Sequence, residues 1–458
     1  MTPVWLILPD PFSSRLFFDT GIVEKLHARL GDRLELFLLD AGEYADAWQE
    51  RAGEIRTTSA DELAPDVPAV SLRVFRRVDR WLDRRFGFYP LSLRLSLRHG
   101  FNRERMRPGH PNWFLDPERA GPLPPWTFLD PALMRWQYGR LRYVPVPLLE
   151  RLRSERPAVL LANIQMHAVV PFIVGGKRFG LPLIGHVASW DHTVGKGIVA
   201  PHLRRYVVQN EVMRDDLVRF HRIDRGRIVV TGWPQTDVFY RRRPRSDYDG
   251  LVRGLGLDPA RPVVLVMGNT PTNAPFERRF VERLVAWWDS SGTRERFSLL
   301  FRPHPRDREW RDRFAPALSR SGISVQEASF TDLETLATLL QHGDVVVSNA
   351  GTILLDALVN DRPAVCILYD EGAPPGGESW ALKNVSGDHY RGLMDSEAFY
   401  RAESFEAAVT GIERALANRS ELAPERARIA REVVGEVDGH AADRVAEAMI
   451  SALGSGGI

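Results

Sequence analysis

Apolar residues in this chain gather in short unbroken runs, separated by stretches where they recur every three or four positions. "VWLILP" (4–9) and "LELFLLD" (34–40) are the first two runs, with the amphipathic "DTGIVEKLHARL" (19–30) between them. Unbroken runs suit strands buried on both faces, and their alternation with helical stretches is the mark of a parallel sheet. The pattern predicts further strands at 158–164, 181–189, 205–210 and 227–232, with a helix over 167–180 and another from Glu211. A second series follows, with strands at 262–270, 297–305, 323–326, 344–349 and 363–370. Helices are predicted at 276–288, 331–341, 352–359, 404–418 and 440–453. "FYRRRPRSDYDGLVRGLGLDPARP" (239–262), rich in Arg, Gly and Pro, reads as the linker.

The expected fold class is therefore α/β, with two Rossmann-like domains. The first covers residues 1–245, the second 246–435, and a closing helix and tail occupy 436–458. Such domains bind ligands at the carboxyl ends of their strands, so the expected site is a cleft that the two face across. Residues 72–147 interrupt the first series. Within it, 72–107 holds eleven Arg against three acids, interleaved with Phe, Trp, Tyr and Leu, and a Pro-rich passage follows.

Composition narrows the classes. At 458 residues the chain exceeds one ordinary core. Its 44% hydrophobic and 26% charged residues are those of a globular protein. A net charge of +2 lacks the field of a nucleic-acid binder, so no nucleic-acid partner is expected. The Arg-rich 72–107 segment reads either as a solvated face or as a contact with an anionic membrane. The single cysteine, Cys366, lies in an apolar run and forms no internal disulfide, which fits a reducing compartment. The N-terminus reads as a strand rather than a signal peptide, and no apolar run has the length of a membrane span. The expected location is cytoplasmic, or peripheral on the inner face of a membrane.

Candidate chemistry begins at "VVVSNAGTILLDALVNDRPAV" (345–365), a strand, a small-residue turn and a helix start. The pattern fits a tight β–α connection. It equally fits a phosphate cradle, with Ser348, Asn349, Ala350, Gly351 and Thr352 at a helix N-terminus and Asp356 one turn on, placed for ribose hydroxyls. Arg302 and His304, each followed by a proline in "LLFRPHP" (299–305), end another buried strand and tip the choice toward the cradle.

"SWDHTVGKG" (189–197) supplies Asp191 or His192 as a base toward an acceptor hydroxyl, and Lys196 for a donor phosphate. A polar loop joining two helices is the alternative. Asp19, near the loop 10–15 and at the start of the predicted helix, is either an N-terminal helix charge or a further base, and His167 at another strand end is a third candidate. Asp247-Tyr248-Asp249 spells an Asp-X-Asp metal motif, but it falls in the linker and is discounted. No Cys/His ligand spacing occurs, and neither metal nor cofactor is expected.

"RPHP" followed by "DVVVSNAGTILLDALVNDRPAV" resembles the C-terminal domain of GT-B-fold transferases. The resemblance is to the broad group with bacterial surface-polysaccharide glycosyltransferases and CDP-glycerol glycerophosphotransferases. "VASWDHTVGKG" (187–197), "VVQNEVMRDDL" (207–217), "IVVTGWPQTDVF" (228–239) and "EVDGHAADRVAEAMI" (436–450) extend it over roughly 155–450. It implies a nucleotide-sugar donor, its phosphates at the HP motif and the small-residue turn, and a glycan or lipid-linked acceptor. The implied activity is metal-independent glycosyl transfer in bacterial surface-polysaccharide biosynthesis. CDP-glycerol or polyol-phosphate transfer and nucleotide-sugar 2-epimerisation are the alternatives. Glycerophosphotransferases usually carry Asp-Tyr-Ser-Ser where this chain has Ser348-Asn349-Ala350-Gly351, a departure toward the sugar-transferase pattern.

Overall fold

A computed structural model describes residues 2–39, 44–63, 77, 144–195, 199–290, 292–318, 320–349, 351–374, 379–385 and 388–454. The Arg-rich 72–107 segment, apart from Arg77, lies outside the described residues, as do Lys196 and Ala350.

The chain divides into two compact units. One comprises Met1–Asp237 with Asp438–Ile458, and the other Val238–Val437. In the first, β1 (Val4–Leu8), β2 (Leu34–Leu38), β3 (Arg56–Ser59), β4 (Ala158–Leu161), β5 (Leu183–His186), β6 (Arg205–Val208) and β7 (Ile228–Val230) form one sheet. Its order is β3-β2-β1-β4-β5-β6-β7, and every described pairing is parallel. β1, β2, β4 and β5 are buried along their whole length; β1 and β4 read as unbroken apolar runs, while β2 and β5 carry buried Glu35 and His186.

The predicted helix over 19–30 is two helices, Pro11–Asp19 and Ile22–Leu30. Asp10 caps the first through the Ser13 N–H (3.1 Å) and hydroxyl (2.6 Å), with Pro11 beginning the helix. Gly21, at φ +76°, breaks the two apart, a conformation that costs glycine least. Helix Ala441–Gly454 belongs to this first unit. Asp237 accepts hydrogen bonds from the Ala441 and Ala442 N–H groups (3.0 and 2.7 Å), capping it across two hundred residues of sequence. Val445 and Met449 then sink fully into the core beside Ile22 and Leu26. Each such side chain contributes about 1.5–3 kcal/mol.

The second unit repeats the plan. β8 (Val263–Met267), β9 (Ser298–Arg302), β10 (Ile323–Val325), β11 (Val345–Ser348), β12 (Ala364–Ile367) and β13 (Tyr400–Ala402) lie in the order β10-β9-β8-β11-β12-β13, all parallel. The strand order reverses at β8 and β11, which makes the crevice outside their carboxyl ends the natural ligand position. The stretch read as a linker contains helix Arg245–Gly254. Tyr248 is buried there and Arg245 pairs with Asp249 (2.8 Å), so the Asp-X-Asp spelling is an amphipathic helix face. β3 and β13 escape the apolar-run pattern because they are short edge strands with partly exposed, polar residues.

Candidate functional site

A small pocket opens at the switch point of the second unit. Met267 at the end of β8, Ser348 and Asn349 at the end of β11, and Ile367, Tyr369 and Asp370 at and beyond β12 form three of its sides. The fourth is the segment from Ala274 to Glu277, where helix Glu277–Ser290 begins.

The strand-end groups hold one another. The Ser348 hydroxyl donates to the Met267 carbonyl (3.1 Å), joining β11 to β8. The Asn349 amide donates to the Ile367 carbonyl (2.7 Å) and accepts from Asn384 (2.6 Å), which also donates to the Asn273 carbonyl (2.7 Å). Asn384, on helix Trp380–Val385, thus ties together the loops after β8, β11 and β12. That helix is capped by Asp370, which accepts from the Trp380 N–H (2.6 Å). Gly351 sits at φ +107° and ψ −177° just before helix Thr352–Val359, and its N–H donates to the Tyr390 hydroxyl (2.8 Å). Thr352 is the first residue of that helix. Asp356, one turn further, is only 2% exposed and does not line the pocket. The thiol of Cys366 donates to the Asn349 carbonyl (3.3 Å), and burial pushes its pKa up to about 12, so it stays unionised.

Arg302, at the end of β9, is buried, and its guanidinium grips Asp332 by two bonds of 2.8 and 3.2 Å. Its first role is thus to hold the Asp332 loop against the strand end. His304 is half-buried, and its Nδ1 accepts from the Arg306 N–H (3.0 Å), which places the proton of the neutral ring on Nε2.

Glu277 is the acid that sequence reasoning missed. One oxygen accepts from the Asn269 N–H (2.9 Å) and the other from Arg313 (2.6 Å). Burial pushes its pKa up to about 7, Arg313 and the Asn269 N–H hold it down, and nearby Asp307 raises it again. Nothing marks it in the sequence, because the charge that matters to it comes from a different helix.

In the first unit a polar group collects beyond the ends of β1, β4 and β5. Asn163 donates to Asp10 (3.4 Å), and Gln165 donates to the His192 carbonyl (2.9 Å). Asp191 accepts from the Ser189 hydroxyl (2.5 Å), and buried His192 lies with Nε2 4.0 Å from it. Both base candidates therefore share one short turn and helix, His192–Gly195. His221 brackets this segment, donating from Nε2 to the Thr193 carbonyl (2.6 Å) and accepting the Val199 N–H at Nδ1 (3.0 Å). His186 donates from Nδ1 to the Ala162 carbonyl (3.0 Å). Burial takes both rings down to about 4, leaving them neutral. His167 opens the turn His167–Val169 past β4. Asp19 stands apart: it is the last residue of helix Pro11–Asp19, a full helix length from the end of β1, and pairs with Arg51 at 2.5 Å. It is a helix C-terminal charge paired with Arg51, not the N-terminal one expected.

Two Rossmann-like units, the second with a pocket at its switch point, are the elements of a GT-B-type fold. Residues 199–451, more than half of the chain, match the model of the CDP-Glycerol:Poly(glycerophosphate) glycerophosphotransferase family, and the chain belongs to that family. Solved structures show the same fold. A UDP-GlcNAc 2-epimerase from Neisseria meningitidis bound to UDP-GlcNAc aligns over 98% of this chain and 100% of its own, with 10% identity and a TM-score of 0.54. The UDP-N-acetylglucosamine 2-epimerase of Rickettsia bellii aligns over 98% and 96%, at 13% identity and TM-score 0.52. A glycosyltransferase from Rickettsia africae covers 99% of each chain at 10% and 0.50. No curated protein sequence matches. Among the described residues no helix is long and apolar enough to cross a membrane.

Proposed function

We propose that the chain transfers a sugar from a nucleotide-diphosphate donor to a hydroxyl of a glycan or lipid-linked acceptor. The observation that carries this reading is the switch-point pocket between β8 and β11, inside the segment matched by the family model. The donor's nucleotide enters that pocket, and its phosphates lie toward His304 and the Gly351–Thr352 helix start, where backbone N–H groups and the helix dipole favour anions. Protein groups, rather than a metal or cofactor, neutralise the diphosphate. The acceptor oxygen attacks the anomeric carbon, the bond to the β-phosphate oxygen breaks, and the nucleoside diphosphate leaves. Asp191 or His192 takes the acceptor's proton. A lipid-borne acceptor brings the chain to an anionic surface through the Arg-rich segment 72–107.

The family match favours a second reading, glycerol-phosphate transfer from a CDP donor. There the acceptor attacks the β-phosphorus and the P–O–P bridge breaks. The product nucleotide separates the two. Purified chain is incubated with UDP-, GDP-, dTDP- and CDP-linked sugars and with CDP-glycerol, each with a lipid-linked or oligosaccharide acceptor, and the nucleotides are identified by chromatography. Release of a nucleoside diphosphate supports sugar transfer, and release of CMP from CDP-glycerol supports phosphoglycerol transfer. Conversion of a sugar donor without nucleotide release marks an epimerase and refutes both. Absence of any turnover, with no thermal stabilisation by UDP, GDP, CMP, CDP or dTDP, removes the donor site altogether.

A further inference from the structure

Behind the fourth side of the pocket lies a charge cluster that no motif marks. Arg313, 7% exposed, ends the short helix Trp310–Arg313. Its Nη1 donates to the Asn269 carbonyl (2.9 Å) and to Asp307, and its Nη2 donates to the Ala274 carbonyl (2.8 Å) and to Glu277 (2.6 Å). Glu277 returns to the same loop through the Asn269 N–H. The backbone of 269–274 is thus held at both ends by one guanidinium and its partner. Asp307 carries the hold to the next strand end, where its N–H donates to the His304 carbonyl (2.8 Å). One planar fork therefore joins the loop after β8 to the Arg302-Pro303-His304-Pro305 turn after β9. A lysine ammonium, being a point charge, cannot reproduce four such bonds.

We propose that Arg313 is the positioning residue of this pocket: it holds the 269–276 loop and the His304 turn in their ligand-ready arrangement before a nucleotide diphosphate arrives. This inference rests on the donor-pocket reading above. The physical gain is preorganisation, since loops already ordered lose no freedom on binding. The cluster also determines the pocket's charge. Glu277 faces Arg313 and Asp307; of the other acids lining the pocket, Asp370 caps a helix and Glu371 pairs with Arg283. Two buried carboxylates share one guanidinium, and a proton on Glu277 brings the cluster to neutrality beside an anionic ligand.

The test has one arm that needs no ligand. Amide hydrogen exchange is followed in wild type and R313K. Exchange at least tenfold faster across 269–276 and 304–309, with β8, β9 and β11 unchanged, supports the positioning role. Unchanged exchange in those two loops overturns it, whether or not any nucleotide binds.

The second arm measures UDP-glucose and CDP-glycerol binding by calorimetry between pH 6 and 8.5, a range in which their diphosphate esters do not titrate. Wild-type affinity should fall as pH rises through about 7, where burial places Glu277. R313K should bind about tenfold more weakly, and E277Q should abolish the pH dependence. R313K binding like wild type overturns the inference while leaving the donor pocket standing. A wild type that binds neither ligand counts against the donor reading alone. If R313K does not fold, E277Q decides: it keeps the volume and one of the two acceptor oxygens, and an unchanged pH profile in E277Q contradicts the cluster.

Discussion

Replacement of Arg302 by Ala separates the strand-end role of this residue from any contact with substrate. In the structure its guanidinium is 7% exposed and makes two charge-assisted bonds to Asp332, itself 20% exposed. Breaking a fully buried ion pair costs about 3–5 kcal/mol, chiefly through the charge left behind. Asp332 would retain two long bonds, from the Ser329 N–H (3.3 Å) and the Gln326 amide (3.4 Å), and its partial exposure admits water. The loss should therefore sit near the lower bound, about 3 kcal/mol. For a unit of this size that lowers Tm by about 6–12 °C. Calorimetric unfolding of wild type and R302A checks it. A fall of less than about 3 °C would mean that the Arg302–Asp332 pair contributes little to the fold, and the reasoning from burial fails. R302K should fall between the two, since it keeps the charge and loses the fork.

Two further expectations follow from backbone geometry and buried imidazoles. Gly351 lies at φ +107°, with nothing within 4 Å of an added Cβ, so G351A suffers backbone strain without a clash. It should lose about 1–3 kcal/mol in urea denaturation, and a variant as stable as wild type contradicts the strained conformation. His186 and His221 titrate at about 4 in the folded chain, against an ordinary 6.5, so the unfolded chain takes up their protons first. Their contribution is complete above about pH 6.5 and is lost as pH falls toward 4, by up to about 3 kcal/mol for each ring. A urea midpoint identical at pH 7 and pH 4.5 would show that these rings are not held neutral.

Much of this architecture is written in local order. Runs such as Val345–Val347 must be buried on both faces, and helical periods between them demand a parallel sheet, so two Rossmann-like units were legible from apolar spacing alone. Gly351 and the prolines around Arg302 and His304 likewise announce strand-end turns, because their backbone constraints act within a few residues. Three-dimensional packing decided the rest. Arg302 looked like a substrate ligand, and the fold gives its guanidinium to Asp332, thirty residues away. Asp356 looked like a ribose acceptor, and helix packing buries it. Asp19 looked like a strand-end base, but the helix before it starts at Pro11 and carries it to the far end.

Glu277, Arg313, Asn384 and Tyr390 carried no signal at all. Each acts through a partner brought close only when strands and helices pack: Asn384 reaches Asn273 and Asn349, and Tyr390 reaches Gly351. Hydrophobic periodicity depends on near neighbours and survives in the linear order. Buried hydrogen bonds and ion pairs depend on distances that only the packed chain defines, so the sequence by itself determined the scaffold and the place of its turns, and the tertiary structure decided which polar groups those turns hold.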